Sequence, residues 1–555
     1  MQYPSIYLKL TLFISSLCLL LSACGGSSSG SSAEDENTPP SMVTGQVLNY
    51  QDDTAIANAM VNIRYGSVEI EMQTNSAGQF SFSPFSTTER VTLSADAEDY
   101  SENAVIIATN QPLSEQLVIR LQPNDLNMVF DATETQSFTL NNLSLLDLPA
   151  NALVDANGNT FTGSASVEIK VLDPALDSSI MPGDYRVQPV GNTSEILESF
   201  GALAVTFDSA SGALNLGTGE QATIRIPVSS LYATATPPAT MPLYYFNEET
   251  GYWVEEGLAT LETDSASGKQ VYVGQVSHFT VWNADQPITT VTLEGCVFNS
   301  AQIPLANVRI FAEGRTYIGS SSTYSDQNGC YSLPVRIDSD LILYFSGNSE
   351  SFVLEWNSQN LNVRDVILED AALISKLSWG TLPEDLDAHF ITPAGEVYFG
   401  NEAVQDNNTG FNAFLDVDDT SSFGPEVISS SAFTLPGCYE YYVHNYSEST
   451  AWDETNAKVN VSIDGEQRQF LINQVSASNA EFDDVYKLWS VFTVEVDNNL
   501  NTTIQWRNQL VDQTFCEGDA VIFSLEENIA SQAVRARSRT NNTAKPAKAS
   551  LRLKQ

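Results

Sequence analysis

Two short stretches gather side chains that could hold a cation. In DLDAHF, Asp385, Asp387 and His389 stand at alternate positions, and in LDVDD the acids are Asp416, Asp418 and Asp419. A strand turns successive side chains to opposite faces. Asp385, Asp387 and His389 are therefore expected on one face, with Leu386, Ala388 and Phe390 filling the core behind it. The same alternation sends Leu415 and Val417 inward and Asp416 and Asp418 outward, with Asp419 at the strand's end. If the two strands are neighbours, four or five carboxylates converge. Their repulsion raises several pKa values unless a cation binds, and hard oxygen donors favour calcium over a transition metal. The expected metal ligands are thus Asp385, Asp387, Asp416, Asp418 and Asp419. The competing expectation is a pair of solvated acidic strand faces, which a chain this acidic produces by chance. No EF-hand spacing supports calcium, because the glycine at the sixth loop position is missing. Zinc on His389 and His444 is the lesser alternative, since no cysteine converges with them.

The remaining chemistry points away from catalysis. There is no H-E-x-x-H, phosphate loop, kinase motif set or Cys-His nucleophile pair. Gly26, Ser28 and Gly30 match G-x-S-x-G, but they lie in a Gly/Ser stretch where no strand-to-helix elbow can form. Paired carboxylates serve glycosidases only across a cleft larger than small sandwiches offer. Tyr439 and Tyr441 are expected to face one way and Tyr442, His444 and Tyr446 the other, one set in the core and one exposed near the acids. An exposed aromatic strip stacks on sugar rings or covers a sandwich edge. His278, beside Phe279 and Trp282, reads as structural.

Composition limits the partners. The 555 residues carry a formal charge of -45 and are 42% apolar, so the chain folds into several domains and repels nucleic acid and anionic membrane surfaces. Cations are the natural counter-species. The end of the chain differs: Arg535, Arg537, Arg539, Lys545, Lys548, Arg552 and Lys554 lie in a stretch without apolar periodicity. It reads as a disordered basic tail, either docking on anionic lipid or simply solvated.

The elements that must position the acids are strands. VTGQVLNY, AIANAMVNIR and TNSAGQFSF recur as LEGCVFNS, PLANVRIFA and SDQNGCYSL. Both copies show short β-branched strands separated by Asn/Asp-Gly turns. The residue after each marker glycine is Gln46 and Gln79 in the first copy but Cys296 and Cys330 in the second. A paired change of this kind suits side chains on adjacent or facing strands, since a disulfide needs α-carbons within about 7 Å. Cys296 is therefore paired with Cys330, which leaves Cys438 with Cys516.

On Gly45, Val47, Ala59, Val61, Thr74, Gly78 and Phe80, matched by Gly295, Val297, Asn307, Val308, Asp326, Gly329 and Tyr331, this repeat resembles the carboxypeptidase regulatory-like domain. The resemblance implies a transthyretin-like β-sandwich. Between the copies, LPANALVDANGNTFTGSASVEIKVLDP, PLYYFNEETGYWVEEG and VGQVSHFTVWNAD resemble a β-rich region of bacterial surface proteins and of cartilage intermediate layer protein. From DLDAHF through LDVDDT and Gly424-Pro425-Glu426 to GCYEYYVHNYS, the chain resembles a bacterial domain of unknown function found in secreted and von Willebrand A-type proteins.

At the amino end, a lone Lys9 and the apolar LTLFISSLCLLLSA form an export leader too short to span a bilayer. Leu21, Ser22 and Ala23 before Cys24 resemble the bacterial lipobox, which implies cleavage before Cys24 and diacylglycerol on its sulfur. Gly25 in place of Asp resembles outer-membrane sorting. GGSSSGSSAEDENTPP then reads as a flexible tether.

The expected fold class is all-β, several β-sandwich domains in tandem. The parts are a leader (1–23), a tether (24–40), a first sandwich (41–123), a β-rich middle domain (124–288), a second sandwich (289–370), a C-terminal sandwich with the acidic cluster (371–520) and a basic tail (521–555). The expected function is non-catalytic: an outer-membrane lipoprotein, held by its N-terminal lipid, that presents binding modules to protein or polysaccharide at the cell surface and is stabilised by calcium. A carbohydrate-binding or hydrolase-accessory lipoprotein is the alternative.

Overall fold

The computed structural model describes residues 42–516 apart from 84–89, 108–116, 190–194, 234, 347–349, 359–364, 464 and 477. The leader, Cys24, the tether and the basic tail lie outside the described residues. Within them the chain is all-β, as its alternating pattern requires, and the one α-helix is the four-residue Asn479–Phe482.

The two repeats fold alike. In the first, Val43–Asn49 runs antiparallel to Gln79–Phe82 and parallel to Leu117–Pro123. In the second, Thr290–Asn299 pairs antiparallel with Cys330–Arg336 and parallel with Val366–Asp370. Gln46 lies opposite Gln79, and Cys296 opposite Cys330, where a disulfide joins α-carbons 3.9 Å apart. The marker glycines have a shared cause. Gly78 and Gly329 have φ of +69° and +76°, and each carbonyl accepts the N–H of Val47 or Val297 at 2.8 Å. A Cβ on Gly329 would sit 2.6 Å from the Val297 carbonyl oxygen, so both conformation and space demand glycine. Val47, Val61, Leu93 and Leu121 fill one interior, and Val297, Ile310, Leu343 and Leu368 the other.

The middle region forms one large sheet that folds over on itself. Phe130 and Phe138, from the strands at the two ends of its main hydrogen-bonded order, pack edge to face with ring centres 5.2 Å apart. The C-terminal region is a two-layer sandwich. Its six-stranded sheet includes Phe411–Val417, Glu426–Ser430 and Leu373–Ser378, and its five-stranded sheet includes Asp387–Thr392, Gly437–His444 and Leu488–Val496. Trp379, Phe390, Tyr441, Trp452, Trp489 and Phe492 are buried between the layers. Cys516 is bonded to Cys438, and the buried Glu440 accepts the N–H groups of Phe515 and Cys516 at 2.6 and 2.9 Å. The last described residues are thereby tied to the sheet.

The regions interlock through buried charge. Asp177, in a loop of the middle region, accepts hydrogen bonds on one oxygen from Ser179 N and Oγ. On the other it accepts the Tyr50 hydroxyl from the first repeat at 3.0 Å and meets the Lys458 ammonium of the C-terminal sandwich. The Lys458 and Asp177 side chains are 5% and 8% exposed. Beside them Glu313, from the second repeat, accepts from Ser178 Oγ and Tyr344 and pairs with Lys376. Farther out, Arg315 reaches Asp419 at 2.7 Å, and Asp53 accepts the Gln469 N–H at 2.7 Å. Val417 and Val427 pack with Ile342 and Val353 of the second repeat. Burial alone would push the Asp177 carboxyl up, but the charge and hydrogen bond of Lys458 hold it well below the usual carboxylate range.

Two predictions follow from these contacts. Gly329→Ala is expected to cost at least about 1–3 kcal/mol in denaturant unfolding. Gly410→Ala, at a positive φ with open space around it, is expected to cost less. Asp177→Ala, which strands Lys458 in the interior, is expected to cost about 3–5 kcal/mol, whereas Asp177→Leu with Lys458→Met stays near the parent. Because the folded pKa of Asp177 lies below its unfolded value, the stability it contributes is present above roughly pH 4 and is lost as pH falls below that. Melting curves of parent and double variant, close at pH 7, should therefore separate towards pH 3, the parent losing more stability.

Candidate metal centre

Of the five expected acids, Asp385 and Asp387 come together, and the third member of their group is Glu426 from the facing sheet. Asp387 opens the strand Asp387–Thr392 of the five-stranded sheet, and Asp385 lies just before it, its N–H donated to Ser447 Oγ at 3.0 Å. Phe411–Val417 belongs to the six-stranded sheet, where it pairs with Glu426–Ser430. Glu426 bridges the layers, its Oε2 accepting the Ala388 N–H at 2.5 Å. One oxygen from each of Asp385, Asp387 and Glu426 can be chosen so that all lie within 4.8 Å of one another.

These acids do not form a solvated face. Asp385 and Asp387 are each 3% exposed and Glu426 1%. The alternation correctly assigns Leu386, Ala388 and Phe390 to the core, yet the opposite face of the strand is covered as well. Asp416 and Asp418 are half-buried, with a bulge between Leu415 and Val417 displacing Asp416 from regular pairing. Asp418 stays near enough for its charge to act on Glu426. Asp419 is engaged elsewhere, paired with Arg315 and accepting Ser421 N and Oγ at 2.7 Å. It does not join the cluster, because the guanidinium of the second repeat takes up its charge.

Burial pushes the Glu426 carboxyl well above its usual range, and Asp387, Asp418 and Asp385 push it further in the same direction. Its Oε1 has no hydrogen-bond partner. The contrast with Asp177, Glu313 and Asp419 is chemical: each of those buried acids meets a lysine or arginine, while the charges acting on Glu426 are other carboxylates. An all-oxygen, buried set of this kind fits a hard divalent cation such as calcium.

Histidines line the adjoining space. In the pairing of Asp387–Thr392 with Gly437–His444, His444 lies opposite Asp387 and Tyr442 opposite His389. His389 Nδ1 is 2.8 Å from Glu396 Oε1, which also accepts the Tyr442 hydroxyl at 2.6 Å. Burial alone would raise the Glu396 carboxyl, but the hydrogen bonds and charge of His389 together with the Tyr442 hydroxyl hold it below its usual range. An ionised carboxylate only accepts, so Nδ1 carries the proton. The expected exposed aromatic strip is absent at this point: a bulge between Tyr441 and Tyr442 leaves Tyr439 and Tyr441 in the core, and Tyr442 is stacked on His389, 8% exposed. His278 packs between Tyr245 and Trp282, with ring centres 4.6 and 5.0 Å away.

Sequence reasoning missed Glu426. It sits in the quoted Gly-Pro-Glu, but alternation within its own strand gives no hint that it crosses to the other sheet. No protein-family model matches the chain. Among solved structures, the chain is similar to SAV2460, a protein of unknown function (15% identity, 26% of this chain, 91% of that one, TM-score 0.20). It is also similar to BcpA, the major pilin subunit of Bacillus cereus (7% identity, 59% of this chain, 99% of that one, TM-score 0.14). A third is a backbone pilin of Streptococcus pyogenes with a modular three-domain structure (9% identity, 71% and 96% coverage, TM-score 0.12).

Glu426→Gln keeps an acceptor for the Ala388 N–H and offers donors to the neighbouring carboxylates. In EDTA at pH 7 it is expected to raise stability to denaturant by at least about 1 kcal/mol. Asp419→Asn, which weakens the pairing with Arg315, is expected to lower it. A less stable Glu426→Gln protein would show that the carboxylates do not repel one another.

Proposed function

We propose that this chain is a non-catalytic lipoprotein of the outer membrane, anchored through Cys24, whose interlocked β-modules hold a calcium-bearing C-terminal sandwich toward a protein or polysaccharide at the cell surface. The observation that carries the reading is the buried junction at Asp177. Modules joined by a desolvated ion pair and by apolar packing move as one body, so a face on the last module keeps its orientation relative to the first, next to which the tether attaches. Presentation needs that stiffness. The calcium rests on the buried oxygens of Asp385, Asp387 and Glu426, with Asp418 close by. The carbohydrate-binding alternative loses its main support, since Tyr442 is stacked on His389 rather than offered to a sugar.

Mass spectrometry of the mature amino terminus from a membrane fraction is expected to find diacylglycerol on Cys24, and protease treatment of intact cells is expected to remove the modules. An intact leader or a bare thiol removes the anchor and the location together. Calorimetry of the EDTA-stripped protein with calcium chloride is expected to give a saturable heat that Asp387→Asn weakens by at least about tenfold. No heat above buffer removes calcium from the reading and leaves the anchor untouched.

A further inference from the structure

Asp387 belongs to a second set of donors, which the calcium reading does not use. Asp387, His389 and His444 each bring one ligand atom within 4.8 Å of the other two. We propose that these three residues form a site for a divalent transition cation of the zinc class, beside the all-oxygen set.

Four observations carry the proposal. First, His389 is 7% exposed, and its Nε2 has no hydrogen-bond partner. Nε2 is thus a buried ring nitrogen that no protein group meets, placed where a metal ion could take it as a ligand. Second, the Glu396–His389 contact of 2.8 Å is the kind of outer hydrogen bond that orients a ligating histidine and raises its basicity. Third, the ring cannot swing away. Tyr398 and Tyr442 stack on it at 5.3 and 4.7 Å, with interplanar angles of 8° and 17°. Fourth, His444 Nδ1 stands 3.8 Å from Asp387 Oδ2, and the two imidazoles are nearly perpendicular, their centres 6.1 Å apart. That separation is too long for a hydrogen bond and close to the roughly 3.3 Å between ligands each about 2.0–2.1 Å from one tetrahedral ion.

The donor types then select the cation. Two imidazole nitrogens and one carboxylate suit zinc, nickel or copper, while calcium takes oxygen ligands in larger number. The backbone assembles the set. Asp387 and His389 are two apart on one strand and share a face, and the antiparallel register places His444 directly opposite Asp387. The inference stands independently of the calcium reading, although Asp387 is common to both sets.

The test uses the mature chain in detergent, stripped with EDTA and titrated separately with zinc chloride, cobalt(II) chloride and calcium chloride. One equivalent of zinc is expected to bind, and cobalt is expected to give visible ligand-field absorption. His444→Gln, at a partly exposed position, is expected to weaken zinc by at least about tenfold and to leave calcium unchanged. His389→Gln is expected to abolish the cobalt bands. Circular dichroism checks folding, and if one variant unfolds the other carries the test. Zinc bound equally by the parent and a folded histidine variant overturns the proposal, as does binding of calcium alone. Zinc binding without calcium binding supports the proposal and removes only the calcium.

Discussion

Taking a carboxylate out of water is costly unless a counter-charge leaves with it, and that constraint organises the contacts between the modules. Asp177 is nearly enclosed, yet it can be so only because Lys458 is enclosed against it and Tyr50 and Ser179 occupy its remaining lone pairs. Three regions of the chain supply these partners. Glu313 and Lys376 repeat the arrangement alongside, bringing in the second repeat. Charge neutralisation thus does what a small apolar interface between sandwiches would do less selectively, because a shifted register leaves an ion stranded in the interior.

The same physics makes the carboxylate pocket conspicuous. In a chain with 69 acids and 24 lysines and arginines, cations are scarce, and the buried Lys458 is spent at the junction. Asp385, Asp387 and Glu426 are as deeply buried as Asp177, but it is other carboxylates that act on Glu426. Interior acids of this kind either hold protons or hold a cation. Beside them, His389 is held to Glu396 through Nδ1, while its other ring nitrogen is buried without a partner.

Much of the fold was legible because its determinants are local. Asn/Asp-Gly turns, alternating apolar residues and the marker glycines define strands within a few positions of themselves, and the paired change to cysteine reported a cross-strand contact directly. The inward set Leu386, Ala388 and Phe390 was legible for the same reason. What lay outside local pattern was decided by residues far away in the chain. Asp419 reads as a ligand until Arg315 stands beside it, Glu426 carries no local signal of the Ala388 N–H that it meets on the facing sheet, and Asp177 meets a lysine 281 positions later. Alternation gives the direction of a side chain relative to its own sheet, but not what the neighbouring layer brings to it.

The order in which the junction's parts are synthesised has a consequence for assembly. A chain made amino end first exposes Asp177 to water long before Lys458 exists. A hydrated carboxylate is content to wait, and the early modules can fold around their own apolar interiors in the meantime. Expulsion of solvent from the junction then becomes the closing event of maturation, a seal set only when the final sandwich arrives, so a truncated chain leaves it wet and unlatched.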